Sequence, residues 1–479
     1  MATRTIWQDI YAMEMDDTNS TVATSAAASP AFTTGVGIQG AAAKNSRFSL
    51  ALTDHPNFKA PSGSVDTEQA TGKATRQSSE YNVVQTGEAV QFALPMLGNA
   101  YSVSAFAKLL FQSGASESTP TTGSGHKLAT YVPYSSADTT EFAYFIRLMG
   151  GSGTSSNDLK VSGALCHTLT VSGESGGVLN IEPTIYGAKW EQANLSSHAT
   201  ALGTSFSDVL PLKFQDSTFA ILDSTGADET NVFAAATSSV LTFADATDND
   251  TVTAGSGTPF ANSEGWEVAD VAIIEGSANN DGIYPVTKTS ATVLTIDTTN
   301  SIGYQFTAGA DTGAITVTPA KWRVINVPSV SFTITNSCMF NYYNDDVASN
   351  AIVGRLGVEG SFSMPFGTTS VGNNYMVDRF LAGEQMTVAW YWGTTSNGED
   401  PRDDYKLNPK AAMDRYKNDS AATNPKNYFS IVANIRVTDY EMSGDNELMV
   451  DVTFSGAGTK ANDAVAMYAQ YDSTLLSRA

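Results

Sequence analysis

Three stretches of the chain alternate apolar and polar residues with a period of two over unusual lengths. In the first, Leu165, His167, Leu169 and Val171 alternate with Cys166, Thr168, Thr170 and Ser172. The loop Gly173-Glu174-Ser175-Gly176-Gly177 follows, and then Leu179, Ile181 and Ile185 alternate with Asn180, Glu182 and Thr184. The second stretch sets Val330, Phe332 and Ile334 against Ser331, Thr333 and Thr335, and returns through Leu356, Val358, Phe362 and Met364 against Gly357, Glu359, Ser361 and Ser363. In the third, Ile431, Ala433, Ile435 and Val437 oppose Asn434, Arg436 and Thr438; after the turn at Ser443-Gly444-Asp445-Asn446, Leu448, Val450, Val452 and Phe454 oppose Met449, Asp451 and Thr453. A period of two puts one set of side chains on each face of a strand, so each stretch is a long hairpin with one buried and one wet face. The fold class that follows is mainly β: an antiparallel sandwich or barrel built on long hairpins. On this reading His167 falls on the apolar face as a core histidine. The wet faces are small, hydroxylated and sparsely acidic, with Arg436 as their one base, a surface suited to the wall of a wet channel.

Other segments break this rhythm. Val103, Phe106, Ala107, Leu110 and Phe111 recur at helical spacing between Tyr101 and Gly114, which predicts an amphipathic helix whose apolar stripe covers a sheet. A second short helix fits Asn373 to Leu381, followed by a strand from Gln385 to Trp392. Residues 16–46 lack periodicity and read as an extended arm that orders by lying on something else. Short strands separated by loops such as Ser277-Ala278-Asn279-Asn280-Asp281-Gly282 give about 216–322 a character of its own, that of a small all-β domain inserted into the main one. The expected division is an arm and loop region over 1–90, β core over 91–215, the insertion over 216–322, and the second part of the core over 323–479. The segment from Asn397 to Asn427 is long and charged. It carries Asp400, Asp403 and Asp404 beside Lys406, Lys410, Arg415 and Lys417, and reads as a candidate contact with a neighbour.

Charge narrows the function classes. The chain has 479 residues and a formal net charge of −23, which disfavours tight binding to a nucleic-acid backbone, where Lys and Arg must replace counterions. Two cysteines, Cys166 and Cys338, cannot supply a disulfide framework and read as small buried residues. No signal-like start and no apolar run long enough to span a bilayer is present, so a soluble protein made in a reducing cytoplasm is expected. Gly173-Glu174-Ser175-Gly176-Gly177 satisfies G-x-S-x-G and makes Ser175 a candidate nucleophile. A strand rather than a helix follows it, however, and no histidine stands in a recognisable context, so a hairpin turn explains it better. Gly35-Val36-Gly37-Ile38-Gln39-Gly40 matches a dinucleotide fingerprint but lacks its βαβ surroundings. Asp245, Asp248 and Asp250 fail the calcium-loop order, and no histidine pair has metal-ligand spacing. No cofactor, metal or catalytic residue is expected.

Leu159-Lys160-Val161-Ser162 leading into Leu169-Thr170-Val171-Ser172-Gly173-Glu174-Ser175-Gly176-Gly177, with Ile185-Tyr186-Gly187, Val327-Pro328-Ser329-Val330-Ser331-Phe332-Thr333-Ile334 and Val358-Glu359-Gly360-Ser361-Phe362, resembles the major tail tube proteins of long-tailed, siphovirus-like bacteriophages. The resemblance covers about 90–216 and 323–456. It implies a tail-tube fold with short helices outside, hairpins of six subunits joined into one barrel, and stacked rings that form a hollow tube in the virion through which DNA passes without specific binding. The implied partners are further copies of the chain, a tape measure protein, a tail terminator and distal tail or baseplate proteins. Under it Thr168, Thr170, Glu182, Glu359 and Asp451 face the lumen, while the arm (about 14–46) and Asp400, Asp403, Asp404, Lys406, Lys410 and Arg415 join successive rings. The alternatives are another virion β protein, such as a capsid decoration or tail fibre component, and more remotely a serine hydrolase built on Ser175.

Overall fold

The structure is a computed structural model that describes residues 10–16, 47–50, 52–54, 56, 65–68, 82–85, 90–112, 115–118, 126–133, 142–148, 158–187, 189–193, 211–224, 236–245, 250–261, 265–266, 271–296, 307–341, 350–366, 380–393, 427–444, 448–458 and 465–472. In chain order the first elements are β1 (Ile10–Asp16), β2 (Arg47–Ser49), β3 (Val65–Glu68), β4 (Asn82–Gln85), β5 (Val90–Ala93), β6 (Met96–Leu97), α1 (Ala100–Phe111), β7 (Ala115–Ser118), β8 (His126–Tyr131) and β9 (Phe142–Leu148). There follow β10 (Asp158–Glu174), β11 (Asn180–Gly187), β12 (Lys189–Ala193), β13 (Ser217–Asp223), β14 (Ala236–Ala244), β15 (Asp250–Ala254), β16 (Val271–Glu275), β17 (Gly282–Pro285), β18 (Thr287–Lys288) and β19 (Val293–Ile296). The last are β20 (Gly309–Ile325), β21 (Ser329–Asn336), β22 (Met339–Asn341), β23 (Asn350–Ile352), β24 (Leu356–Pro365), β25 (Gln385–Gly393), β26 (Asn427–Ser443), β27 (Met449–Gly456) and β28 (Val465–Asp472). The architecture is mainly β and antiparallel throughout, as the alternation predicts.

The three hairpins are neighbours in one sheet. β11 pairs with β10, β10 with β21, β21 with β24, β24 with β27 and β27 with β26, so six long strands lie side by side. β26 is longer than its hairpin partner. Its first half pairs with β28 on one edge and β25 on the other, continuing to β8 and β13. One strand thereby belongs to two sheets, which fold over a common core.

Aromatic side chains weld that core. Phe332 of β21 stacks on Trp390 of β25 at 5.8 Å between ring centroids, and Phe362 of β24 meets Phe219 of β13 at 4.7 Å. Trp390 touches Trp392 at 4.9 Å and Trp392 touches Phe214 at 5.6 Å, while Phe454 bridges Phe332 and Phe362 at 5.1 and 6.1 Å. Pairs at such distances add to area burial, so this string holds the two sheets face to face. Two glycines make room for it. A Cβ on Gly173 would come within 2.7 Å of the Trp392 ring, and one on Gly360 would collide with the Ser331 carbonyl oxygen and the Phe454 ring.

The helix expected between Tyr101 and Gly114 is α1, capped by Asn99, whose side-chain oxygen accepts from Ser102 N at 2.9 Å. Every residue of α1 is buried, including Ser102, Ser104 and Lys108, so it does not show the polar outer face of an amphipathic surface helix. It packs against β10, β26, β28 and β8, and Asn336 of β21 donates to Leu110 O at 2.9 Å. On its other side Phe145 of β9 stacks on Phe106 at 6.4 Å. Of the second expected helix, Phe380 to Ala382 is helical and the remainder lies outside the described residues.

The segment 216–322 divides unevenly. β14, β15, β16, β19 and most of β20 enclose a separate core of Leu241, Phe243, Val252, Phe260, Trp266, Ile274, Leu294, Ile315 and Val317. β13 and the end of β20 instead belong to the main body, Phe219 to Asp223 pairing with Ile325 to Lys321. β20 passes without interruption from one unit into the other. The insertion also leans on the main body: Val271, Ala320 and Ile273 pack with Ala220, Leu222, Trp322, Ala389 and Tyr391, which buries the outer face of β13 and β25. The polar face of the six-stranded sheet and the insertion are therefore on opposite sides of the core.

Replacing Gly360 by Ala should destabilise the fold by about 1–3 kcal/mol, because the colliding Ser331 oxygen is backbone and cannot swing away. Chemical denaturation measures this, and an unchanged midpoint would mean the seam is looser than described. A second outcome concerns the insertion. Asp223 and Lys321 are cross-strand partners, so deleting 224–320 and joining them through Asn-Gly closes a hairpin. The shortened chain should keep its far-ultraviolet β signal, melt at lower temperature and bind an apolar dye at the uncovered face of β13 and β25. Loss of all β structure would show that the main body needs the insertion to fold.

Candidate functional site

The feature that stands out is the outer face of the six-stranded sheet. Register places Glu182, Thr170, Thr333, Glu359, Ser455 and Arg436 in one row across β11, β10, β21, β24, β27 and β26. A second row runs Asn180, Ser172, Ser331, Ser361, Thr453 and Asp439, and a third Glu174, Ser329, Ser363, Asp451 and Glu441. Thr168 stands beside Thr184 and Thr335 in a fourth. All five residues expected on a wet channel wall, Thr168, Thr170, Glu182, Glu359 and Asp451, thus share this face. Glu182 and Glu359 are exposed; Thr168, Thr170 and Asp451 are half-buried.

Hydroxyls tie the strands together along the rows. Thr170 and Thr333 share a hydrogen bond of 3.1 Å between their Oγ1 atoms. Ser329 Oγ donates to Ser363 Oγ at 3.2 Å, Ser363 Oγ donates to one Asp451 oxygen, and Ser443 Oγ donates to the other at 2.5 Å. Small hydroxyls that bond sideways to one another keep the face flat and wet, and they leave the carboxylates as its charge. Those carboxylates are more numerous than the alternation suggests. Between Val437 and Asp439 the register of β26 shifts by one residue, so Asp439 and Glu441, which strict alternation sends inward, join the outer face.

A second bulge corrects the reading of His167. Between Cys166 and Thr168 the register against β11 shifts, which turns Cys166 into the core and His167 outward. His167 does not lie on the apolar face; its ring stacks on Tyr186 at 4.2 Å, and its Nδ1 is 3.5 Å from Cys338 Sγ. Burial lowers the His167 pKa, against a smaller opposing effect of a hydrogen bond with the Cys338 backbone. Burial pushes the Cys338 thiol up to about 12 and Cys166 well above its ordinary range. The contact is therefore a neutral thiol against a neutral imidazole, without the thiolate that nucleophilic chemistry uses. Both cysteines are buried and free.

Ser175 sits in the tight turn between β10 and β11, where Gly177 N donates to Glu174 O at 2.9 Å and Gly176 takes a φ of +80°. It borders a cleft of about 420 Å³ lined by Phe214, Gln215, Ser217, Thr218, Phe219, Val324, Ile325, Asn326, Val327, Pro328, Pro365 and Met449. That lining contains no histidine or carboxylate, and His167 lies in the middle of β10, well before the turn that carries Ser175. Among the described residues no cluster of His, Cys, Asp and Glu could hold a metal, and no helix is long and apolar enough to cross a membrane. Asp250 is buried in β15 and Asp245 is exposed at the end of β14, while Asp248, His55 and His198 lie outside the described residues. The same is true of Gly35 to Gly40 and of Asp400, Asp403, Asp404, Lys406, Lys410, Arg415 and Lys417. The roots of both long connections are nevertheless in view. Residues 17–46 connect β1 to β2, which pair with each other at Glu14 and Arg47, and residues 394–426 connect β25 to β26, which pair at Gly393 and Tyr428.

The sheet ends in two unlike edges. β5 and β6 pair with β11, with an isolated bridge from Leu52 to Met96; on the opposite side, residues 437–443 of β26 pair with β27 alone among the described residues. Large exposed apolar side chains gather there. Leu97 is 40% exposed at the β6 edge, and Met442 is 48% exposed at the β26 edge, beside which Phe380 packs on Tyr440 and Leu381 is 73% exposed. No protein-family model matches the chain, and a search of curated proteins returned no match.

The His167 pocket gives a pH-dependent outcome. Its folded-state pKa is lowered, so the unfolded chain takes up a proton that the folded chain resists, and stability contributed by neutral His167 is lost as pH falls through about 6.5 and below. Thermal melts of the native chain and of His167→Phe should diverge between pH 7.5 and 5, the native chain losing more. Parallel curves would remove His167 from the account.

Proposed function

We propose that the chain is a structural subunit that assembles with copies of itself into rings whose inner wall is the polar face of the six-stranded sheet, as in a bacteriophage tail tube. The observation that carries this reading is one sheet with a hydroxyl-rich, acidic outer face and two unlike edges: among the described residues, 437–443 of β26 pair with β27 alone, while the opposite edge at β6 meets only the short contact of Leu52 and Thr53. An open edge exposes unpaired backbone groups that seek a partner strand. Because the two edges differ, pairing one with the other is head-to-tail, and head-to-tail contacts close into rings when the rotation permits. Leu97 on one edge and Met442 and Leu381 on the other add apolar area to such a joint.

The wall would carry Glu174, Glu182, Glu359, Asp439, Glu441 and Asp451 against Arg436. A surface of that sign repels phosphates, so DNA could pass a bore lined by it without adhering. The place of the insertion supports the same arrangement, since it stands across the core from the polar face and would lie on the outside of the ring. On this reading the protein resides in the virion tail, and the tape measure, terminator and distal tail proteins implied by the resemblance are its further partners. Among the described residues the lining of the Ser175 cleft holds no histidine or carboxylate, which lends the hydrolase reading no support.

Electron microscopy of the purified chain tests the proposal. Rings or hollow tubes of constant bore are expected, with Glu182, Glu359 and Asp451 lining the bore. Leu97→Lys combined with Met442→Lys sets like charges at the two edges and should leave folded monomers without rings. A native chain that stays monomeric at high concentration in every salt condition, or rings with the insertion innermost, would overturn the proposal.

A further inference from the structure

We infer that Leu52 to Asp54 form a strap laid over the β6 edge of the free subunit, and that this strap leaves before the β26 edge of another copy pairs there. The inference rests on the ring reading for the identity of the incoming strand, and it adds what holds ring closure back.

The two edges differ in how far they are covered. Among the described residues, 437–443 of β26 pair with β27 alone, so the other side of that stretch is unoccupied. At the opposite edge β5 pairs with β11 alone, but β6 has a second neighbour. Leu52 forms an isolated antiparallel bridge with Met96, and Thr53 N donates to Pro95 O at 2.9 Å. Backbone groups along a strand face its two neighbours in alternation. Leu94 N and Gly98 N donate toward β11, to Pro183 O at 3.0 Å and Leu179 O at 2.7 Å, so the groups of Pro95 and Leu97 point away from the sheet. Pro95 has no N–H to offer, and its carbonyl oxygen is taken by Thr53. A strand pairing along 90–97 needs that same oxygen.

The strap is fastened at its ends and light in its middle. Before it, Leu50 is buried and its N–H donates to Tyr11 O at 2.8 Å, which continues the β1–β2 pair; after it, Pro56 is buried. Between these anchors Leu52 packs half-buried on the core, while Thr53 and Asp54 are exposed. Covering an edge with a loop is a common way to stop unwanted strand pairing. A cover this short yields to a strand that brings a whole ladder of main-chain bonds. Because the anchors stay in place, the strap moves aside without opening the sheet. Pairing is thereby gated, and free subunits stay apart until concentration or an assembled edge displaces the strap.

A disulfide lock tests this. Leu52 and Met96 oppose each other as a pair without hydrogen bonds between them, a geometry with Cα atoms about 4.5 Å apart, within the span of a disulfide. In the full-length variant Leu52→Cys with Met96→Cys, oxidised glutathione accepts the two electrons and two protons released as the S–S bond forms. The unsubstituted chain is the control, since Cys166 and Cys338 are buried. Reduced, the variant should form rings; oxidised, it should keep its β signal and remain as single subunits. Thr53→Pro removes the N–H that holds Pro95 O and should lower the concentration at which rings appear severalfold. A labelled peptide copying residues 435–444 should bind Thr53→Pro more tightly than the native chain, and the oxidised variant not at all. Rings from the oxidised variant, an unchanged threshold with Thr53→Pro, or equal peptide binding by all three would overturn the strap while leaving the ring standing. Peptide binding that follows the strap in a chain that never forms rings would sink the ring and keep the strap.

Discussion

The structure depends on the aromatic string from Phe214 through Trp392, Trp390, Phe332, Phe454 and Phe362 to Phe219. It is drawn from five strands and one short turn that are far apart in sequence, and it sets the spacing between the two sheets. Gly173 and Gly360 are the local condition for it, because any side chain at either position would occupy space the rings need. With the seam closed, the inner face of the long sheet is used up, and whatever the protein does with that sheet it must do with the outer face and the edges.

The outer face has few ways to act. Its hydroxyls bond to neighbouring strands rather than point at a ligand, as the Ser329–Ser363–Asp451–Ser443 chain shows. Its carboxylates are spread over three rows, Glu182 and Glu359 in the first, Asp439 in the second, and Glu174, Asp451 and Glu441 in the third. What remains is a broad, wet, negatively charged surface, and such a surface is better at keeping a polyanion away than at holding a small molecule. The edges behave oppositely. Residues 437–443 of β26 combine backbone that is unpaired on one side among the described residues with exposed Met442 and the neighbouring Leu381, and Leu97 is exposed at the opposite edge.

The insertion shows how a second unit can be added without disturbing this plan. β13 and the end of β20 stay in the main sheet, and Asp223 contacts Arg323 at 3.5 Å in the buried junction where the two units meet. The unit built beyond them has its own core, yet it also covers β13 and β25, which are consequently apolar on both faces. That double burial explains why β25 reads as the continuous run Met386 to Trp392 rather than as an alternating strand.

The sequence by itself determined the strands of the long hairpins, because a two-residue period leaves one choice of face, and it marked Thr168, Thr170, Glu182, Glu359 and Asp451 as sharing the polar side of their strands. It also placed the buried cysteines and the turn around Ser175, and it set the short strands between about 240 and 320 apart by their own rhythm. Tertiary structure decided what period alone does not encode. Bulges next to His167 and at Thr438 each add one residue to a strand, which reversed the facing of His167, Asp439 and Glu441. A single extra residue leaves no mark in a hydrophobicity pattern, since its cause is the register of the partner strand. The burial of α1 on every side, the merging of three hairpins into one sheet and the true limits of the insertion likewise depend on which distant strands meet, and that is fixed by packing around the aromatic seam.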